Sequence, residues 1–157
     1  TNPEIKSMAD IIKFNEENSA KVMPYFKQEI FKMANEKGPL SDNEYLEIKQ
    51  KCQQLSREKG LDATLSEHQL DAIIAPSGGP SWIIDYVNGD HFTGGSSSPS
   101  AIAGYPNITV PAGYVKNLPI GISFMGTEFQ EYKLLKFAYA YEQATKIRKP
   151  PSFEKTI

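Results

Sequence analysis

The chain has 157 residues, which fits one domain, and it is 39% apolar and 23% charged, as an ordinary globular protein is and a disordered one is not. Its 17 lysines and arginines against 19 aspartates and glutamates give a net charge of −2. The sequence therefore lacks the basic field that binding to nucleic acid or to an anionic membrane surface requires, and neither partner is expected.

The first part of the chain, residues 1–69, is predicted to be helical. Residues 1–14 contain no continuous apolar stretch of the kind that a signal peptide has, and nowhere in the chain are there about 18 consecutive apolar residues that would predict a transmembrane helix. Instead Met8, Ile11 and Ile12 repeat at helical spacing, which predicts an amphipathic helix near the amino terminus.

Further helices are predicted before residue 70. Pro24 should interrupt the first helical pattern, which resumes after it. Ser41 and Glu44 form the S-x-x-E pattern of a capping box, which predicts the start of a helix that runs toward Gly60. Cys52 lies on the apolar seam of that helix, so we expect a small buried side chain rather than a nucleophile. Because it is the only cysteine, no disulfide within the chain can form.

Residues 70–126 are predicted to hold strands around a loop rich in glycine and serine. Ala72–Ala75 is a short apolar run stopped by a proline and two glycines, which predicts a buried strand. In the loop that follows, a helical turn is predicted at Trp82–Val87, and a helix is predicted to begin with Ser98 as N-cap and Pro99 as its first residue. Loops of this length in compact domains are usually functional or disordered.

Two strands and a helix complete the chain. Asn107–Val110 and Ile120–Met125 predict a hairpin-like pair of strands. Residues 127–157 predict a helix with one apolar face, followed by a tail that begins at two prolines. The apolar positions of this helix are Leu134, Leu135, Ala138 and Tyr141.

Four segments, taken in order, carry a resemblance to a known family. They are LDAIIAPSG, FTGGSSSPSAIAGYPNITVPAGY, LPIGISFMG and LLKFAYAYEQAT. Together they resemble the carboxy-terminal part of the amidase signature family, over residues 60 to 153 or so. The short segments GGPSW and NGDHF are similar to the branch of that family that contains peptide amidases.

The resemblance implies an α/β fold, in which amino-terminal helices are followed by a few strands of a larger mixed sheet and by a carboxy-terminal helix. It also implies hydrolysis of carboxamides by a Ser–cis-Ser–Lys triad, without a metal or other cofactor. In the family these three residues lie well upstream of LDAIIAP, so no catalytic residue is expected in this chain. The chain is then the carboxy-terminal portion of a larger amidase domain that acts on a small amide or peptide amide, and alone it should be inactive.

Six residues around the Gly/Ser-rich loop are candidates for the wall of the substrate pocket: Ser77, Trp82, Asp90, His91, Ser96 and Ser97. Gly94–Ser98 offers backbone donors and hydroxyl groups, as a nucleophile and oxyanion site would. Its position within the resemblance nevertheless matches a pocket wall or a structural segment rather than the family's catalytic serines. Trp82 follows a strand end, where an aromatic side chain either lines a pocket or caps the core.

Two other functions stay open. Asp90, His91 and the neighbouring serines are the residue types of a Ser-His-Asp triad, which would suit an independent serine esterase. Adjacent Asp and His side chains project differently, however, so a hydrogen-bonded loop is the favoured explanation. The chain could instead be a non-catalytic binding or assembly module, similar to the amidotransferase subunits that share this fold.

Metal sites, self-association and compartment follow from other features. With two histidines and no carboxylate or cysteine at ligand spacing around them, no metal site is expected. Strands that lack their sheet neighbours expose edges, so self-association through those edges is expected. The compartment is unknown: a cytoplasmic parent is the default, and an exported parent stays open.

Overall fold

The computed structural model describes residues 5–153. Their elements, in chain order, are α1 Met8–Glu17, α2 Ser19–Val22, α3 Glu29–Asn35, α4 Asn43–Ser56, a π-helical turn Arg57–Leu61, α5 Asp62–Glu67, β1 Ile73–Pro76, α6 Ser97–Ala103, β2 Asn107–Val115, β3 Leu118–Met125 and α7 Glu131–Thr145. The chain divides into two compact units, one up to Leu46 and one from Glu47 onward, with the boundary inside α4.

The first unit contains α1, α2 and α3. A capping box starts α1: the Ser7 hydroxyl accepts a hydrogen bond from the backbone N–H of Asp10, and the Asp10 carboxylate accepts one from the backbone N–H of Ser7. The buried Gln28 amide accepts from Asn15 at 3.0 Å and donates to the carbonyl of Ile12 at 3.1 Å. Both ends of this buried amide are therefore paired within the unit.

The first third of the chain is helical, as predicted, but the start of α4 and the burial of its apolar side chains differ from the prediction. It begins at Asn43, so Ser41 is not at the N-cap position and the predicted capping box is wrong. Cys52, predicted to be buried, is exposed, and so are Ile48 and Leu55 on the same seam. Helical spacing determines which side chains share a face, but burial also needs a second element against that face, and here the face is open.

The second unit contains a three-stranded antiparallel sheet in the order β1–β3–β2. The predicted hairpin is confirmed: β2 and β3 are joined by a turn at Lys116–Asn117, where Lys116 has a φ of 54°. Both strands are longer than predicted: β2 continues through Pro111 to Val115, and β3 begins at Leu118. A proline is tolerated there because β2 is an edge strand of the described sheet, and a bulge lies between Pro111 and Gly113.

One face of the sheet packs against α7 and forms the core of the second unit. The buried cluster consists of Val110, Phe124, Leu134 and Ala138. Tyr141 meets Phe124 edge-on, with the ring centroids 6.0 Å apart. The predicted helix is confirmed, but Leu135 is 55% exposed and lies outside its buried face. The helix ends at Thr145, before the prolines, with Lys146 in the left-handed conformation.

Strand β1 is more exposed than predicted. The sequence predicts a buried strand, yet Ile74 is exposed, since β1 has four residues and lies at the edge of the described sheet. A short edge strand has a neighbour on one side only, so an apolar run alone does not predict its burial.

The segments around the following loop also differ from the predictions. No helical turn forms at Trp82–Val87; instead the Asp85 carboxylate accepts hydrogen bonds from the backbone N–H groups of Val87 and Asn88 and closes a turn. Helix α6 begins at Ser97, with Ser96 at the N-cap position and no side-chain cap. The prediction of Ser98 as the N-cap is therefore wrong.

Candidate functional site

The sheet face opposite α7 carries hydroxyl groups. The strand register pairs Thr109 of β2 with Ser123 of β3, and Ser123 with Ala75 of β1. Side chains of directly paired residues project from the same face, and so does the side chain two residues further along a strand. Ser77, two residues beyond Ala75, thus joins Thr109 and Ser123, and the three hydroxyl groups form a polar patch on this face.

Ser77, Thr109 and Ser123 form a closed ring of three hydrogen-bonded hydroxyl groups, which we call the hydroxyl ring. The oxygen–oxygen distances are 3.1 Å from Ser77 to Thr109, 2.9 Å from Thr109 to Ser123 and 2.8 Å from Ser123 to Ser77. Each hydroxyl has one proton and two acceptor lone pairs. When each donates one bond within the ring, all three protons are used, and one acceptor lone pair per oxygen is left for an outside donor.

The hydroxyl ring depends on a glycine in β3. The backbone N–H of Ser77 donates to the carbonyl of Gly121 at 2.8 Å, which holds the start of the loop against the strand. A Cβ at Gly121 would lie 2.7 Å from Cγ2 of Thr109 and 2.9 Å from Oγ of Ser77. Because real Cβ atoms do not approach other atoms so closely, only glycine lets Ser77 and Thr109 meet over this position.

A cavity of about 380 Å³ lies beside the hydroxyl ring, bounded by the sheet and α6. Besides the ring, its polar lining comes from Ser97, Ser100, Tyr105 and Asn107. No charged side chain of the described chain lines it. Ser100 is 1% exposed, and its hydroxyl has no hydrogen-bond partner among the described residues. A buried hydroxyl without a partner costs free energy, so its presence calls for a partner from outside this part of the chain.

Tyr105 joins the cavity to the π-helical turn. Its hydroxyl donates to the Asp62 carboxylate at 2.8 Å, and the Arg57 guanidinium lies 4.9 Å from the centre of its ring. Arg57 also donates to the carbonyl of Ala103, at the end of α6, at 2.6 Å. Burial, the hydrogen bond to Asp62 and the charge of Asp62 raise the pKa of Tyr105 to about 12. The tyrosine therefore presents a neutral phenol to the cavity at any physiological pH.

This raised pKa predicts a contribution of Tyr105 to stability at alkaline pH. Since the pKa is higher in the folded chain than in the unfolded one, the contribution is fully present below the ordinary tyrosine value of about 10 and is lost as the pH rises through about 12. We expect the free energy of unfolding of Tyr105→Phe to fall less steeply over this range than that of the wild type, in urea titrations at a series of pH values. Tyr139→Phe, at an exposed tyrosine, is the control and should follow the wild type.

The loop between β1 and α6 folds back on itself as an irregular hairpin. Near its base Gly78 and Gly95 form an isolated bridge, and the backbone N–H of Ser96 donates to the carbonyl of Ser77 at 3.3 Å. At its tip, hydrogen bonds from Asn88 and from the backbone of Val87 lower the pKa of Asp85 below its usual value. The loop is therefore ordered by its own contacts and starts and ends beside the hydroxyl ring.

The six predicted pocket residues fall into two groups. Ser77 and Ser97 line the cavity, and Ser96 is a second serine whose buried hydroxyl has no partner among the described residues. Trp82, Asp90 and His91 lie along the loop and do not line that cavity. A role of any of the six in binding substrate stays a prediction.

The contacts of the loop residues bear on the esterase hypothesis. The indole N–H of Trp82 donates to the Asp90 carboxylate at 3.2 Å, and the Trp82 ring meets the edge of Phe92 at a centroid distance of 6.2 Å. His91 Nε2 lies 3.9 Å from a carboxylate oxygen of Asp85. The carboxylate beside His91 is thus that of Asp85, while Asp90 is engaged by Trp82, so the loop does not provide the Asp90–His91 pair that this hypothesis needs.

Two findings concern metals and membranes. Within residues 5–153, no three or more His, Cys, Asp or Glu side chains are grouped closely enough to hold a metal ion. Over the same described part of the chain, no helix combines the length and the apolar character needed to cross a bilayer.

Sequence reasoning does not single out Ser100, Thr109 or Ser123. A signal was present in the strands, since Asn107, Thr109 and Ser123 alternate with large apolar residues and so place polar groups on one face. The contact of this face with Ser77 and α6 depends on the register of three strands, which alternation alone does not give.

Comparison with known proteins places the chain in a family. The family described as Amidase matches residues 4–135, so the chain belongs to the Amidase family. A probable amidase of Arabidopsis thaliana is 41% identical over 154 residues, which are 95% of this chain and 26% of that protein. The structure of the peptide amidase from Stenotrophomonas maltophilia superimposes with a TM-score of 0.87 and 41% identity, over 96% of this chain and 30% of that one.

A relative of lower identity is an amidotransferase subunit. A glutamyl-tRNA(Gln) amidotransferase subunit from Pseudomonas entomophila is 33% identical over 100 residues, which are 60% of this chain and 21% of that protein. The chain thus spans 30% or less of the length of each of these three relatives. The predicted resemblance and the fold class of helices with a small sheet are confirmed.

Proposed function

We propose that this chain is the carboxy-terminal portion of an amidase that hydrolyses carboxamide C–N bonds, either in non-peptide amides or in the terminal amide of a peptide. The observation that carries the proposal is the match of nearly the whole chain, at 41% identity, to less than a third of a peptide amidase. Similarity of that extent supports a shared role for this part of the fold, and the site has to supply the rest of the argument.

In this proposal the chain contributes sheet strands and a wall of the substrate pocket. The neutral cavity beside the hydroxyl ring supports this role, because a carboxamide is an uncharged polar group and needs both donors and acceptors. Ser77, Ser96 and Ser97 belong to this wall, and Trp82, Asp90 and His91 extend it along the loop. Trp82 with Phe92 would supply its apolar part.

The catalytic residues are proposed to lie outside this chain. The resemblance assigns the reaction to a lysine and two serines upstream of LDAIIAP, and the lysine must be neutral to act as a base, with its pKa lowered by burial. No metal or other cofactor takes part in this proposal. A small amide or peptide amide is the proposed substrate of the longer protein, and the isolated chain is proposed to be inactive.

The decisive experiment compares the isolated chain with the complete reading frame that encodes it. We expect ammonia release from a peptide amide such as N-acetylphenylalaninamide only with a frame that contains the upstream lysine and serine pair. Amide hydrolysis by the isolated chain that disappears in Ser96→Ala or Ser97→Ala would contradict the proposal. A fluorophosphonate probe should leave the isolated chain unlabelled, and labelling of a serine in the loop would revive the esterase hypothesis.

A second candidate is a non-catalytic binding or assembly module. The similarity to an amidotransferase subunit over 100 residues favours it, and a reading frame without the lysine and two serines would make it the better interpretation. In either case we propose that the isolated chain self-associates through its sheet edges. Strands β1 and β2 are both edges of the described sheet, and Ile74 of β1 is exposed.

A further inference from the structure

We propose that a groove between the β2–β3 hairpin and the tail after α7 binds a small carboxylate that carries an aromatic ring. The tail here is residues 146–153, and we call the groove the tail groove. Its volume is about 550 Å³, which lies within the range of sites for small molecules. It shares no lining residue with the cavity beside the hydroxyl ring, and the inference goes beyond the proposed function.

Tyr114 holds the two walls of the tail groove together. This residue lies near the end of β2, and its hydroxyl accepts a hydrogen bond from the backbone N–H of Lys149 at 2.9 Å. The ammonium nitrogen of Lys149 lies 5.3 Å from the centre of the same ring, which is within the distance of a cation–π contact. The groove therefore has one wall of regular sheet and a second wall that is fastened to it.

The charge in the lining of the tail groove is wholly positive. Among the described residues, its charged side chains are those of Lys116 and Lys149. Neither lysine forms an ion pair with a carboxylate of the described chain, whereas Lys133, for example, pairs with Asp71 at 3.0 Å. Opposite charges attract, so the groove favours an anionic ligand and disfavours a cationic one.

The backbone at Lys116 supports a role for its side chain. Lys116 is the first residue of the two-residue turn between β2 and β3, and its φ of 54° lies in the left-handed region. Glycine is the usual residue at such a position, because a side chain there costs free energy. Residues held in such conformations are found most often at sites that bind ligands, and here the residue is a lysine beside a groove.

The remaining lining provides apolar rings. Pro150, Pro151 and Phe153 come from the tail, and Leu118 and Pro119 come from β3. Phe153 is 88% exposed, so its ring is accessible to a ligand. An exposed ion pair contributes little by itself, since water and salt screen it, whereas burial of an aromatic ring against such a lining adds apolar contact. A ligand therefore needs both its charge and its ring to bind this groove measurably.

The test is an NMR titration of the isotope-labelled 157-residue chain with three probes. Hydrocinnamate has both the carboxylate and the ring, propionate lacks the ring, and hydrocinnamyl alcohol lacks the charge. We expect hydrocinnamate to give saturable shifts of the amide signals of Tyr114, Lys116 and Lys149, and the other two probes to bind several-fold more weakly. Added salt should weaken the binding of hydrocinnamate, because it screens exposed charges.

Variants of the two lysines test the source of the selectivity. Both side chains are exposed, so Lys116→Gln and Lys149→Gln should leave the fold intact. Each should weaken the binding of hydrocinnamate about two- to fivefold, the loss expected for one exposed ion pair. Lys136→Gln is the matched control: this exposed lysine of α7 also lies over a tyrosine ring, 4.5 Å from the centre of Tyr132, but it is not part of the groove. Its affinity should equal that of the wild type.

Three results would each overturn the inference. They are equal binding of hydrocinnamate and hydrocinnamyl alcohol, shifts centred on the strands beside the hydroxyl ring instead of the hairpin turn and the tail, and an unchanged affinity in both lysine variants. None of these results depends on amide hydrolysis. The proposed function is tested separately by ammonia release from the complete protein, so either proposal can fail while the other stands.

Discussion

Replacing Leu134 with alanine is expected to destabilise the protein by about 2–5 kcal/mol, the usual cost of removing a large apolar side chain from a core. Leu134 is 1% exposed and packs with Val110, Phe124 and Ala138 between α7 and the sheet. The space it leaves would not be filled easily, because no side chain projects from Gly126, whose added Cβ would lie only 3.3 Å from Leu134. Urea unfolding followed by circular dichroism measures the change.

The neighbouring leucine provides the matched control. Leu135 lies next to Leu134 in α7 but is 55% exposed, so Leu135→Ala should change the free energy of unfolding by no more than about 0.5 kcal/mol. Because a small domain is stable by only about 5–15 kcal/mol, Leu134→Ala removes a large share of the total. Similar losses in the two variants would show that Leu134 is not the side chain that joins α7 to the sheet.

The elements that the sequence predicted best are those whose signal is local. The helical spacing at Met8, Ile11 and Ile12 predicted α1, and the alternating segments around Lys116–Asn117 predicted the hairpin. These elements depend on period and turn chemistry, which a window of a few residues contains.

Burial was predicted less well, because it depends on what lies opposite a face. Leu134 and Leu135 fit the same helical pattern, yet only Leu134 reaches the core. Cys52 and Ile74 sit in apolar patterns and are exposed, because the described chain places no covering layer over them. The chain spans 26% of the Arabidopsis thaliana relative and 30% of the peptide amidase, so the residues of these apolar faces align with residues of much longer proteins.

The candidate site also combines residues with a local sequence signal and residues that only the folded chain brings together. Ser77 was selected because it follows a strand end, a local feature, and the structure places it in the hydroxyl ring. Thr109 and Ser123 join it through a register that links residues 32 and 46 positions away from Ser77 along the chain. Ser100 could not be selected at all, since a missing hydrogen-bond partner is a property of the folded chain and has no counterpart in a residue pattern.

The convergence of Ser77 and Thr109 on one glycine leads to the second large effect. Gly121→Ala is expected to destabilise the protein by about 1–3 kcal/mol, the usual cost of overpacking, because the new Cβ would lie 2.7 Å from Thr109 and 2.9 Å from Ser77. To relieve these contacts the loop must withdraw, which breaks the bond from the Ser77 N–H to the Gly121 carbonyl and opens the ring. Unfolding in urea measures the loss, and hydrogen exchange at Ser77 reports the broken bond.

Gly78→Ala separates this effect from a general intolerance of side chains at the site. A Cβ at Gly78 would have its nearest neighbour at 3.6 Å, which is an ordinary contact. The Gly78→Ala variant should therefore resemble the wild type in its free energy of unfolding and in hydrogen exchange at the Ser77 amide. If Gly121→Ala were as stable as the wild type and as well protected from exchange at Ser77, the hydroxyl ring would not depend on a glycine at this position.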